Sequence, residues 1–183
     1  MNYILYDLEA TCWLGRPPKG IQEIIEIGAV KVNEYGEVLG EYNKFVQPTV
    51  NKKLSSFCTR LTTITQDDVD RAQTFPRVVE DFKDWVDIYD DDYVLCAWGE
   101  FDIRMLERDC ILHKLETDWL DHNANIKEQY RILKKLDKGT GLKKTTKHEG
   151  FEFTGKHHRA ISDAENLAKI FVKYIDEWIF INH

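Results

Sequence analysis

Residues 6–13 read Tyr-Asp-Leu-Glu-Ala-Thr-Cys-Trp, YDLEATCW. They close a segment, Asn2 to Leu8, that otherwise reads as a buried strand, with Tyr3, Ile4, Leu5 and Tyr6 in a row. Successive side chains on a strand point to opposite faces, so Asp7 and Glu9 share one face and aim at the same place. Two like charges so close repel, and at least one carboxyl pKa rises unless something positive lies between them. A divalent cation is one solution. A solvated strand end, or pairing with Lys or Arg, is another.

Outward from this strand, Gly15-Arg16-Pro17-Pro18-Lys19-Gly20 reads as a loop. Ile24 to Asn33 and Val38 to Val46 read as two strands of a hairpin joined at Tyr35-Gly36 and stopped by Pro48. Thr65, with Asp68 three residues on, resembles a capping box that starts a short helix. Pro76 suits the first turn of a second helix, on which Val78, Val79, Phe82, Val86 and Tyr89 fall at helical spacing. Asp90 to Asp92 mark a loop, and Tyr93 to Trp98 a short apolar strand. A helix with Ile103, Leu106 and Ile111 follows, then a brief strand at 117–122 and a basic helix from Ile126 to Leu136. Short helix and loop fill 139–155, and a closing helix runs from Ser162 to Trp178 with Leu167, Ile170, Phe171, Tyr174 and Ile175 on its core face. An antiparallel meander followed by alternating helices and strands predicts an α/β fold with helices on both faces of a mixed sheet.

The 183 residues suffice for one domain, 1–183, with a full core. Hydrophobic content of 43% and charged content of 31% are those of an ordinary globular chain. No run approaches the roughly 20 apolar residues of a membrane span, so no membrane partner is expected. The chain enters a strand at once, so no signal peptide is expected. Cys12, Cys58, Cys96 and Cys110 form no CxxC pair; they read as reduced packing thiols of a cytoplasmic protein. Neither their spacing nor that of the histidines suits zinc. Net charge is −7, yet residues 127–159 hold ten Lys or Arg against four acids. A basic face on an acidic chain fits a phosphate-bearing ligand held at one place, as well as a solvated helix surface.

Two further acids gain meaning beside Asp7 and Glu9. Asp102 falls in the first turn of the helix after the YVLCAW strand, where an acid is also stabilised by the helix dipole. Asp163 falls at the start of the last helix, with His158 five residues earlier in the preceding loop. Asp7, Glu9, Asp102, His158 and Asp163, in that order, resemble the acids and histidine of the DEDDh 3′-to-5′ exonucleases, a ribonuclease-H-like family. The segments YDLEATCW, IQEIIEIGAVKV, LSSFCTRLTTITQDDV, WGEFD and HHRAISDAENLAKI are similar to the branch holding enhancer-of-RNAi and histone-mRNA exonucleases and bacterial KapD-like proteins. A related subfamily carries Tyr four residues before the last Asp; that position is Arg159 here, which puts the chain on the histidine side. Relatives often read LTGIT where this chain has Leu61-Thr62-Thr63-Ile64-Thr65; a Gly that needs positive φ would leave Thr63 strained. No appended nucleic-acid-binding domain is expected.

The resemblance implies a five-stranded mixed sheet and a two-metal site. Four carboxylates offer hard oxygen donors, which suit Mg²⁺ or Mn²⁺ over zinc. By that resemblance Asp7 bridges two ions, Glu9 and Asp163 complete one, Asp102 supports the other, and His158 takes a proton from the attacking water. The partner is nucleic acid with a free 3′ end, RNA favoured over DNA, cut to nucleoside 5′-monophosphates. Backbone groups of Ala10 and Thr11 are candidates for seating the terminal ribose, and Trp13 and Phe101 for stacking on a base. Trp98, on the strand itself, reads as core packing. Lys143, Lys144, Lys147 and Arg159 are candidates for the trailing phosphates. The competing readings are a catalytically weak regulatory or nucleic-acid-binding protein on the same fold, or a module whose basic face binds an acidic protein. The five catalytic residues together favour the enzyme.

Overall fold

The computed structural model describes residues 1–90 and 92–179. The central strand β1 is Asn2–Ala10; β2, Ile24–Asn33, and β3, Val38–Gln47, complete an antiparallel meander. Helices α1 (Ser56–Thr62) and α2 (Gln66–Asp70) lead to a two-residue strand β4 (Gln73–Thr74) and to α3 (Phe75–Val86). Strand β5 (Tyr93–Ala97), α4 (Phe101–Leu112), β6 (Asn123–Asn125), α5 (Ile126–Leu133), α6 (Leu142–His148) and α7 (Ala160–Lys173) follow. Among the described residues one sheet runs β4-β3-β2-β1-β5-β6, with β1–β5, β5–β6 and β3–β4 parallel. No helix among them is long and apolar enough to cross a membrane.

Alternation along β1 sorts the core into two layers. Ile4, Tyr6 and Leu8 pack against α3 and α4 through Val78, Phe82 and Leu106. Tyr3 and Leu5 face α5, α6 and α7 through Tyr130, Leu142, Leu167 and Phe171. Asp7 and Glu9 continue the Tyr3–Leu5 row, so they emerge on the α7 side. Helix α7 reaches them because β2 has Gly28 opposite Asp7: a Cβ there would lie 2.1 Å from the Ile161 nitrogen. Only glycine permits that approach.

The sheet has six strands where the sequence predicts five. The segment 117–122 is not a strand: Leu120 and Asp121 donate back to Thr117 and Asp118 in a 3₁₀ turn that buries Trp119 and Leu120. Pairing with β5 begins only at Asn123. The sixth strand, β4, is too short to show any periodicity. Helix α5 stops at Leu133, short of Leu136. Helix α7 starts at Ala160, whose N–H is taken by the Glu26 carboxylate, and ends at Lys173; Trp178 then folds back and donates to the Phe171 carbonyl. Tyr89 is 80% exposed because Asp87, in the left-handed region, ends α3 first. Ile111 is also exposed: Met105, Leu106, Asp109 and Cys110 form the buried stripe of α4, and Ile111 falls outside it. The Thr65–Asp68 capping box forms on both sides, and Pro76 lies in the first turn of α3. Of the loop at Asp90–Asp92, Asp91 lies outside the described residues, as does 180–183 of the span 1–183.

Candidate active site

Strand β1 outruns its parallel neighbour. Pairing with β5 covers only Asn2 to Leu5, so the end carrying Asp7 and Glu9 projects past the carboxyl end of β5. A crevice at the carboxyl ends of parallel strands is where open α/β sheets place ligands. The Leu8 N–H, lacking a strand partner on that side, donates to Asp102 Oδ1 at 3.1 Å. Asp102 reaches it because β5 turns at Trp98-Gly99-Glu100 straight into α4. Asp163, on the first turn of α7, completes the cluster from the other side. Carboxylate oxygens of Asp7, Glu9 and Asp163 lie within 4.8 Å of one another.

These residues line a cavity of about 360 Å³, together with Asp102, His157 and His158. Burial, then repulsion from Asp163, Glu26 and Asp102, pushes Glu9 up to about 9. Burial pushes Asp102 up to about 7. Asp7 and Asp163 are raised as well, burial being the largest cause for both. Asp163 Oδ1 is buried without a hydrogen-bond partner. An all-oxygen cluster that is self-repelling, with an orphaned oxygen turned inward, is chemically suited to a hard divalent cation, which would reverse every one of these shifts.

The loop before α7 is held by Asp163, whose Oδ2 accepts the His158 N–H at 2.8 Å. His158 itself adopts φ 66°, in the left-handed region. Adjacent loop residues normally point in different directions, which would turn His158 to the acids and His157 to solvent; the structure does not separate them in that way. The two rings stack with centroids 4.0 Å apart and 12° between planes, and both line the cavity. His157 Nδ1 lies 3.2 Å from Asp163 Oδ1, without hydrogen-bond alignment. Burial and the neighbouring charge of His157 lower the His158 pKa, against the pull of Asp163.

The substrate-side candidates divide. Ala10 and the 51%-exposed Phe101 line the cavity. Thr11 does not: it is fully buried, its N–H donates to the Glu23 carbonyl and its Oγ1 accepts the Glu23 N–H. Trp13 is half-buried and is not part of the cavity wall. Trp98 packs on Tyr130, as a core residue should, yet it also borders the cavity. Lys143, Lys144 and Lys147 stand exposed on α6, and the charge of Lys143 is felt by His158. Arg159 is not available to phosphates. Its guanidinium grips the fully buried Glu26 with Nε at 3.1 Å and Nη2 at 2.7 Å.

Glu26 is the residue the sequence reading missed. It pairs opposite Glu9 across β1 and β2, and its carboxylate also accepts the Ala160 N–H at 3.0 Å. The available signal was a lone charge in the apolar run IIEIGAV. Leu61, Cys12 and Gln22 also border the cavity. Thr63 does take positive φ, 62°, as the cap that ends α1.

An exonuclease family (RNase_T) matches residues 4–171 of the chain. The chain is 33% identical over 189 residues to human 3'-5' exoribonuclease 1, covering 96% of this chain and 53% of that protein. It is 33% identical to the zebrafish (Danio rerio) ERI1 exoribonuclease 2, covering 90% of this chain and 33% of that protein. The chain thus spans about half or less of the length of these relatives. Among solved structures it resembles the nuclease domain of 3'hExo, a DEDDh family member bound to rAMP. That likeness has a TM-score of 0.88 at 33% identity and covers 96% of this chain and 92% of that one. A 3'-exonuclease structure concerned with 3'-end recognition of a histone mRNA stem-loop gives a TM-score of 0.90 at 32% identity, over 97% of this chain and 64% of that one.

Proposed function

The chain belongs to the exonuclease family, and on that premise we propose that it is a metal-dependent 3′-to-5′ exonuclease that removes nucleoside 5′-monophosphates from the 3′ end of RNA. The observation that carries this reading is the meeting of Asp7, Glu9 and Asp163 oxygens within 4.8 Å in a cavity that Asp102 and His158 also line. A binding protein has no need of that self-repelling cluster. The RNA preference draws on relatives named as exoribonucleases and on a neighbour bound to rAMP.

Asp7, Glu9 and Asp163, with Asp102, are the groups that hold Mg²⁺ or Mn²⁺, two ions in our reading. Bound there, the cations supply an activated water and neutralise the scissile phosphodiester. The chain's own residues do the rest. His158, kept neutral near neutral pH by its lowered pKa, accepts the proton of the attacking water at an imidazole nitrogen. The Asp163 carboxylate fixes the His158 backbone and so the reach of that imidazole. Phe101, Leu61 and Trp98 give apolar walls against which the terminal base stacks and water is excluded. The exposed Lys143, Lys144 and Lys147 receive the phosphates behind it. The free thiols of Cys12, Cys58, Cys96 and Cys110 support a reducing, cytoplasmic setting.

The test is a 5′-labelled single strand of RNA, beside one of DNA, with Mg²⁺, Mn²⁺ or EDTA. A ladder shortened from the 3′ end, lost in EDTA and faster on RNA, is expected. Cleavage of a circular strand, or a ladder that persists in EDTA, would contradict the proposal.

A further inference from the structure

Cys12 and Cys58 come from segments 46 residues apart, yet Cys12 packs against the buried cluster that holds Cys58 together with Ile25, Ile64 and Val69. The Ser55 hydroxyl fixes both backbones at once: it donates to the Cys12 carbonyl at 2.5 Å and accepts the Cys58 N–H at 3.0 Å. Cys58 is fully buried, and its Sγ lies 3.6 Å from the Ala10 carbonyl. Cys12 is half-buried and borders the catalytic cavity, so a small solute reaches it from there. The other two thiols have no part in this contact. Cys96 lies in the layer facing α7, and Cys110 lies in the layer facing α3 and α4.

We propose that Cys12 and Cys58 form an oxidisable dithiol, a modification site for hydroperoxides, whose disulfide ties α1 to the end of β1 at the wall of the catalytic cavity. The Cys12 thiol, the one a solute reaches, attacks the peroxide O–O bond as its proton passes to the leaving oxygen. Its sulfur is oxidised by two electrons to a sulfenic acid, and the peroxide is reduced, leaving as alcohol or water. The Cys58 thiolate then attacks the Cys12 sulfur, the S–S bond forms, and hydroxide leaves and takes up a proton as water. Each thiol shifts the other, Cys58 down to about 7 and Cys12 up, so Cys58 is the thiolate that closes the link. Covalent joining draws together two walls of one cavity. Ala10, two residues before Cys12, lines one wall, and Leu61, one helical turn after Cys58 on α1, lines the other. Catalytic geometry tolerates little of this, since a misplacement of about 1 Å costs as much as 10²-fold in rate. The effect on cleavage rests on the nuclease reading; the disulfide does not.

The reduced full chain is treated with hydrogen peroxide, alkylated, digested and read by mass spectrometry, with cleavage of labelled RNA measured in parallel. A Cys12–Cys58 linked peptide, lighter by two hydrogens and reversed by dithiothreitol, is expected. Cleavage is expected to fall about tenfold or more and to return on reduction. Cys58→Ser, with Cys58→Ala as the second variant should the first fail to fold, forms no link and leaves a Cys12 sulfenic acid that dimedone traps. Thiols that stay open to alkylation, sulfinic acid at Cys12 without a link, or a link to Cys96 or Cys110 would each overturn the site. A link without change in cleavage would overturn its hold on the cavity. A reduced protein that cleaves nothing would sink the nuclease reading alone, because the link is read on the protein itself.

Discussion

Arg159 grips Glu26 through two guanidinium nitrogens, across 133 residues of sequence, and the same carboxylate accepts the first amide of α7. The pair sets the start of the helix that carries Asp163, beside the strand that faces Glu9. Removing one partner of a buried ion pair leaves the other charge uncompensated, at a cost of about 3–5 kcal/mol. Arg159→Ala is therefore expected to lose stability of that order in urea unfolding and to lower kcat. Near-normal stability would show that the clamp does not anchor α7.

Asp7→Asn keeps the shape of the side chain and removes the charge that the cluster shares with a cation. Mn²⁺ binding, followed by calorimetry, should weaken sharply and cleavage should vanish. The metal-free variant should be no less stable than the parent, because one of several mutually repelling carboxylates is gone. Retained activity with unchanged metal dependence would remove Asp7 from the metal site.

Stability in EDTA should fall as pH rises. Glu9, near 9, and Asp102, near 7, hold protons in the folded state that the unfolded chain, with ordinary carboxyls near 4, has already released. Folded-state pKa values that are raised on acids mean that the unfolded state binds fewer protons, so stability declines with pH from about 5 to 9. Asp109, buried and pushed up to about 7 outside the cavity, adds to this slope whether or not metal is present. Melting curves across that range should be steeply pH-dependent in EDTA and flatter in saturating Mg²⁺ or Mn²⁺. Equal slopes in both would mean that the carboxylates hold no cation.

His158→Ala should lose about 10²–10⁴-fold in kcat, the usual contribution of a general base, while Mn²⁺ still binds. Activity depends on the neutral imidazole, so the acidic limb of the pH–rate profile should change in that variant. His157→Ala, whose ring stacks on its neighbour, should cost less than tenfold. A large loss in His157→Ala beside near-normal His158→Ala would reverse the assignment.

Thr63, a β-branched residue at φ 62°, ends α1 in the left-handed region. Thr63→Gly relieves strain of about 1–2 kcal/mol, part of which returns as glycine's greater freedom in the unfolded chain. A rise in urea midpoint with an unchanged slope is expected, without change in cleavage. A lower midpoint would mean that the Thr63 side chain contributes more than its backbone costs.

Much of the site was legible because it depends on local rules. Alternation along residues 2–10 put Asp7 and Glu9 on one face without reference to any other part of the chain, and the order of the five motifs marked Asp102, His158 and Asp163. The Thr65–Asp68 capping box and the strain at Thr63 are equally local, since three or four residues decide them. What only the tertiary structure decided is who answers each charge and each open backbone group. Arg159, expected to hold phosphate, belongs to Glu26 because a buried carboxylate recruits the nearest fork of donors, and β2 brings that carboxylate to the start of α7. Thr11 cannot seat a ribose because its N–H and hydroxyl already hold the backbone of Glu23. The sixth strand and the 3₁₀ turn at 118–120 escaped the pattern because two or three residues carry no period. The meeting of Cys12 with Cys58 has no sequence signal at all; it exists because the end of β1 and the start of α1 share one serine hydroxyl.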